Sequence, residues 1–92
     1  MPEKLRPLIP KFLERTAAEA ARLRTALAAG DVATLEQIGH RLRGTAGGYG
    51  FDGLGEIAKQ LEAAAKAGDT ASYPKLVAEI GDHLSRARVR YV

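Results

Sequence analysis

The sequence predicts an all-α protein, an antiparallel up-down-up-down four-helix bundle, and three observations carry that expectation. The chain is rich in Ala, Leu, Glu, Arg and Lys and poor in β-branched residues, and such side chains lose little rotamer freedom in a helix. Four segments space their apolar residues at a helical period. The connections between them are short, as antiparallel neighbours require. With 92 residues, one domain spanning 1–92 is expected, burying roughly 60–65% of the surface of its unfolded chain, which leaves little room for an internal substrate pocket.

The first helix is expected from about Pro7 to Ala29, with Leu8, Phe12, Leu13, Ala20, Leu23 and Leu27 along one stripe. Pro7 and Pro10 fit only its first turn. The second runs from about Val32 to Tyr49, turning Leu35, Ile38, Leu42 and Tyr49 inward. The third, from about Gly53 to Ala67, offers Leu54, Ile57, Ala58, Leu61 and Ala65. The fourth, from about Ala71 to Val89, offers Tyr73, Leu76, Val77, Ile80 and Leu84, with Pro74 in its first turn. Gly30-Asp31 and Gly68-Asp69 repeat one boundary pattern: a left-handed glycine closes a helix and an aspartate caps the next. Asp52, after Tyr49-Gly50-Phe51, is the expected cap of the third helix.

Composition narrows the function classes. No cysteine is present, which excludes disulfides and thiolate metal sites. No apolar run approaches the roughly 20 residues of a membrane span, and Met1-Pro2-Glu3-Lys4 lacks the apolar stretch of a secretory signal. The expectation is a whole, soluble, cytoplasmic protein, monomeric and without a membrane role. Lysines and arginines number 14 against 11 acids, a net charge of +3. Part of that excess sits in Arg86, Arg88 and Arg90, where it complements the end of a helix dipole. A basic helical DNA-binding module is the competing reading of those arginines, and strongly salt-dependent duplex binding would be its mark. Aromatic residues make up only 5% of the chain, too few for the interleaved basic and aromatic stripe of a nucleic-acid binder, so no nucleic-acid partner is expected.

The second helix carries the chemistry. At about 100° per residue its apolar face is centred about 175° from His40, which therefore points into solvent. Within about 60° of His40 lie Ala33, Glu36, Gln37, Arg43, Gly44 and Gly47. Exposed glycines inside a helix each cost about 1 kcal/mol relative to alanine, so their concentration here needs a compensating benefit. Bare ground beside the imidazole lets a second protein bring a carboxyl-phosphate up to the ring. Gly39 or Gly48 can instead permit close helix packing. The partner-facing set is read as Ala33, Glu36, Gln37, Gly44, Gly47 and Gly48. Arg43 stands one turn after His40, where a guanidinium can donate charge-assisted hydrogen bonds to a phosphoryl group, unless it merely pairs with Glu36. Glu36 either orients a ring nitrogen or repels the phosphate. His83, the other histidine, reads as a surface residue; no metal site is expected.

The run His40-Arg41-Leu42-Arg43-Gly44-Thr45-Ala46, followed by Gly50 and Leu54, then Leu61-Glu62 and Gly68-Asp69, resembles the signature of bacterial histidine-containing phosphotransfer (HPt) domains. In that signature His-x-Leu-Lys-Gly precedes small residues, a glycine turn and a third helix ending near Gly-Asp. The resemblance spans essentially the whole chain, including Phe12 and Gly30-Asp31. Arg43 departs from it, since the family most often has lysine there; arginine keeps the charge but presents a planar fork. Gly39, Gly47 and Gly48 make the helix richer in glycine than the family pattern.

The resemblance implies a function in phosphorelays. A response-regulator receiver domain, alone or within a sensor or hybrid histidine kinase, docks over the second helix carrying an aspartyl phosphate. Neutral His40 attacks phosphorus in line, Arg43 stabilises the phosphoryl group, and a downstream receiver aspartate later takes it. The receiver supplies the acidic pocket and Mg²⁺, and this chain is expected to hold no cofactor of its own. It has neither a P-loop nor an Asp-Phe-Gly motif, so it is expected to be a phosphocarrier and not an enzyme that binds ATP or phosphorylates itself. The alternative is a phosphorylation-independent adaptor of the same fold that binds and regulates a kinase or response regulator.

Overall fold

The computed structural model describes residues 9–48 and 51–91, with side chains described through Ala87. Helix α1 covers Ile9–Ala29, α2 Val32–Gly48, α3 Asp52–Ala67 and α4 Tyr73–Tyr91, with a short 3₁₀ turn over Thr70–Ser72 before α4. Among the described residues there is no strand. The first helix's expected start at Pro7, with Leu8, and the inward side chain of Tyr49 lie outside the described residues.

Two of the connections are built alike. Gly30 and Gly68 adopt φ of 70° and 72°, a left-handed conformation that favours glycine because it has no Cβ. Gly30 N–H donates to Leu27 and Asp31 N–H to Ala26, while Gly68 N–H donates to Ala65 and Asp69 N–H to Ala64. Each pair satisfies two carbonyls left over at a helix end, the Schellman arrangement. After these matching halves the two aspartates diverge. Asp31 caps α2, accepting from the Thr34 N–H at 3.3 Å and its hydroxyl at 2.6 Å. Asp69 accepts the Ser72 hydroxyl at 2.6 Å but caps no backbone N–H, because the chain enters the 3₁₀ turn first. The last helix consequently begins at Tyr73, two residues after its expected start at Ala71. Asp52 is the first residue of α3 and not its cap; Phe51 occupies that place without a side-chain hydrogen bond. Phe51 is held instead by its ring, stacked on Phe12 with centroids 5.6 Å apart.

The inward stripes meet in one apolar cluster, in which Ile9, Leu13, Leu23, Leu35, Ile38, Leu61 and Ile80 are almost wholly buried. Each helix packs against its two neighbours in the order α1, α2, α3, α4 and back to α1, and among the described residues the diagonal pairs do not approach. Short turns with this closed ring of contacts make an antiparallel four-helix bundle. The most extensive of the contacts is α2 against α3, and Gly39 explains it. A Cβ there would lie 3.1 Å from both the Ala58 carbonyl oxygen and the Glu62 backbone nitrogen. A Cβ at this position would press the backbone of α3 away from the middle of α2 by a few tenths of an ångström.

Candidate functional site

His40 stands at the middle of α2 with its side chain 63% exposed, on the face opposite buried Leu35, Ile38 and Leu42. The ring is not isolated. Its Nδ1 lies 2.8 Å from Oε2 of Glu62, a carboxylate on α3 whose side chain is only 5% exposed. This contact is the product of Gly39, since the close approach of the two backbones brings Glu62 under the imidazole of the next residue.

Three cationic or proton-donating groups converge on that carboxylate. Besides His40, Arg43 Nη1 stands 3.1 Å from Oε1 and Lys66 Nζ stands 3.4 Å from Oε2. Arg43 stands at ion-pair distance but donates no hydrogen bond, so buried Oε1 accepts none among the described residues. Arg43 Nη2 also comes within 3.4 Å of His40 Nδ1. One ring nitrogen cannot both donate to a carboxylate and accept from a guanidinium. The shorter, charge-assisted contact decides: Nδ1 carries the proton and donates to Glu62, which leaves the lone pair on Nε2. Nε2 has no hydrogen-bond partner among the described residues.

Burial pushes the Glu62 carboxyl up, but the hydrogen bonds from His40 and Lys66 and the charges of Arg43 and Lys66 outweigh it and hold the group below its ordinary value. Asp31 is also held low, by the hydroxyl and then the N–H of Thr34. Where a folded-state value is depressed, the unfolded chain binds more protons than the folded chain, so stability rises with pH through that window. The contribution of Glu62 is therefore complete above its ordinary value of about 4.5 and disappears as pH falls through its lower folded value. Thermal melts from pH 6 to pH 2 are expected to show a falling melting temperature below about pH 4.5, and Glu62→Gln should flatten part of that slope. An unchanged slope in the variant would contradict the ionised carboxylate.

The glycines separate into two kinds. Gly39 is buried against α3, whereas Gly44, Gly47 and Gly48 are exposed and a Cβ on any of them would meet nothing within 4 Å. Gly48 thus serves no close packing, and the open strip beside His40 is real. At Gly44 alanine should raise stability by about 0.5–1 kcal/mol through backbone propensity alone. At Gly39 the same propensity gain is opposed by overpacking of about 1–3 kcal/mol. Because both atoms it meets belong to the α3 backbone, Gly39→Ala should destabilise by about 1–2 kcal/mol. Denaturant melts of the two variants, moving in opposite directions, check this.

The remaining residues singled out by sequence fall as follows. Ala33 and Gln37 are exposed and Glu36 is half-buried. Arg43 pairs with Glu62 and not with Glu36, and the carboxylate that meets the ring belongs to α3, not to α2. His83 is half-buried over the start of α3, where its ring would touch a Cβ on Gly53 at 3.1 Å. Arg86 is exposed; the side chains of Arg88 and Arg90 lie outside the described residues. Sequence reasoning gave Glu62 no chemical role and passed over Lys66. Both had a signal: Glu62 falls on the inward stripe of α3 between Ala58 and Ala65. A carboxylate there needs charged or hydrogen-bonding partners, and Lys66 stands one turn on.

No helix among the described residues is long and apolar enough to cross a membrane. No curated protein and no solved structure matches the chain. The family model described as Hpt domain matches residues 7–90.

Proposed function

This chain belongs to the Hpt domain family, and we propose that His40 is its phosphoacceptor, with Nε2 as the attacking atom. The family acts in phosphorelays as histidine phosphocarriers that work with two-component kinases and receiver domains, and its members are not kinases. The observation that supports this assignment most strongly is the 2.8 Å contact between Nδ1 and buried Glu62, which holds the proton on one nitrogen and leaves a lone pair on the other.

In the step we propose, a receiver presents its aspartyl phosphate over the bare strip of Gly44, Gly47 and Gly48, next to Ala33, Glu36 and Gln37. The receiver also supplies the acidic pocket and its Mg²⁺. The Nε2 lone pair attacks phosphorus; the bond from phosphorus to the acyl oxygen breaks, and the aspartate leaves as a carboxylate. The P–N bond leaves the ring positively charged, with its proton still on Nδ1. Glu62 is already ionised against that N–H, so the charge develops beside a fixed anion, which is the form of help that phosphoryl transfer uses most. Arg43, one turn along and at the exposed rim, turns part of its fork toward the phosphoryl oxygens. Return of the group to a second receiver aspartate is the same step reversed, with no proton to relocate.

The test is to incubate the purified chain with each phosphorylated receiver of its source organism. Transferred phosphate should be acid-labile and alkali-stable, and nuclear magnetic resonance should place it on Nε2 of His40. Phosphate on another residue would overturn the assignment, and tight receiver binding with no transfer would favour the adaptor reading.

A further inference from the structure

A groove of about 610 Å³ lies between α1 and α2 and reaches His40 at one edge. Phe12, Thr16 and Leu42 are its buried floor, and the Thr16 hydroxyl is already committed to the Phe12 carbonyl at 2.7 Å. The floor therefore offers apolar surface and no spare donor. Lys11 and Arg15 rise on the α1 wall and Arg41 on the α2 wall, all exposed. Their charge is unlike that of the cations nearest the imidazole. Arg43 and Lys66 are paired with Glu62, whereas among the described residues Lys11 and Arg15 have no carboxylate partner. Arg41 reaches Glu19 only at 3.5 Å, and the buried Glu19 oxygen accepts no hydrogen bond from it. Three loosely held cations thus face one carboxylate above an apolar floor.

We propose that this groove selects among phosphorylated receiver domains, accepting those that carry an acidic segment beside the phosphoaspartate, with an apolar side chain for Phe12 and Leu42 and carboxylates for Lys11, Arg15 and Arg41. The proposal rests on the reading of His40 as phosphoacceptor. A partner aligned for in-line attack at a residue on the groove's edge covers the groove as well. If the covering rim is basic or neutral, three cations lose water and gain no anion, which is costly; an acidic rim turns the same desolvation into pairing. Selection by such a penalty is as effective as selection by attraction. Exposed rim charges act chiefly on encounter, so the preference should weaken with salt.

The experiment compares transfer kinetics from an acidic-rimmed phosphorylated receiver to the wild-type chain, to K11E/R15E and to R22E/R24E. The last makes the same change of charge at exposed α1 residues outside the groove. K11E/R15E should raise KM about tenfold or more, leave kcat within about twofold and lose most of the salt dependence, while R22E/R24E stays near wild type. Reversing the receiver's acidic segment to lysine should restore transfer to K11E/R15E. Phosphoramidate, a small donor that needs no docking, should label His40 equally in all three chains. An unchanged KM in K11E/R15E, or an equal rise in R22E/R24E, overturns the groove proposal and leaves His40 as acceptor. Failure of receivers and phosphoramidate alike to label His40 in the wild type overturns the phosphocarrier reading itself.

Discussion

Replacing His40 by Gln is expected to abolish phosphate labelling by any phosphorylated receiver while leaving helix content unchanged and the melting temperature within about 5 °C of wild type. Both halves follow from the placement of the ring. The side chain is 63% exposed and contributes nothing to the apolar cluster, so its loss opens no cavity. Its one strong contact is the hydrogen bond from Nδ1 to Glu62, and a glutamine amide retains an N–H that can serve the same carboxylate. What glutamine lacks is a nucleophilic lone pair on nitrogen, since its amide nitrogen is delocalised into the carbonyl. Circular dichroism and a phosphorelay assay on the same preparation check the prediction. Residual labelling would place the acceptor elsewhere; a large loss of helix would mean that His40 holds the bundle together.

Glu62→Ala is expected to slow transfer about 100-fold, the scale on which one fixed electrostatic partner contributes, with Glu62→Gln intermediate between it and wild type. Without the carboxylate the proton is free to reside on either ring nitrogen, and the form protonated at Nε2 has no lone pair with which to attack. The positive charge that develops on the ring also loses its nearest anion. Gln keeps an acceptor oxygen for Nδ1–H but no charge, so it retains the tautomer and forfeits the charge stabilisation. Nitrogen chemical shifts of the imidazole separate the two effects: the wild type and Glu62→Gln should show the proton on Nδ1, and Glu62→Ala a mixture. Transfer within about twofold of wild type in Glu62→Ala would remove Glu62 from the mechanism.

The helices were legible in the sequence because their stripes are long and regular. Leu35, Ile38 and Leu42, or Tyr73, Leu76, Val77, Ile80 and Leu84, recur at intervals that only a helix turns to one side, and all of them are buried. Boundaries were harder to place. Gly68-Asp69 repeats Gly30-Asp31 as text, and each aspartate accepts a hydroxyl three residues on at 2.6 Å, yet a 3₁₀ turn intervenes only after Asp69. The exposed position of His40 follows from angles on one helix. Its carboxylate partner does not, because Glu62 is 22 positions away and reaches the ring only through a helix contact whose register a single-helix projection cannot supply. Gly39 illustrates the same boundary: its sequence leaves docking and packing both open, and the nearness of the Ala58 and Glu62 backbones decides for packing.

His40, Arg43, Glu62 and Lys66 all reside on α2 and α3, whereas two of the three groove cations, Lys11 and Arg15, reside on α1. On the reading proposed above, chemistry and partner choice are written largely on separate parts of the chain. After gene duplication, a copy can be rewired to a different signalling pathway by drift along the solvent-facing side of α1, with its reactive apparatus inherited intact. Engineers seeking an insulated pair can use the same division, randomising Lys11 and Arg15 against a receiver library without disturbing the atoms that handle phosphate.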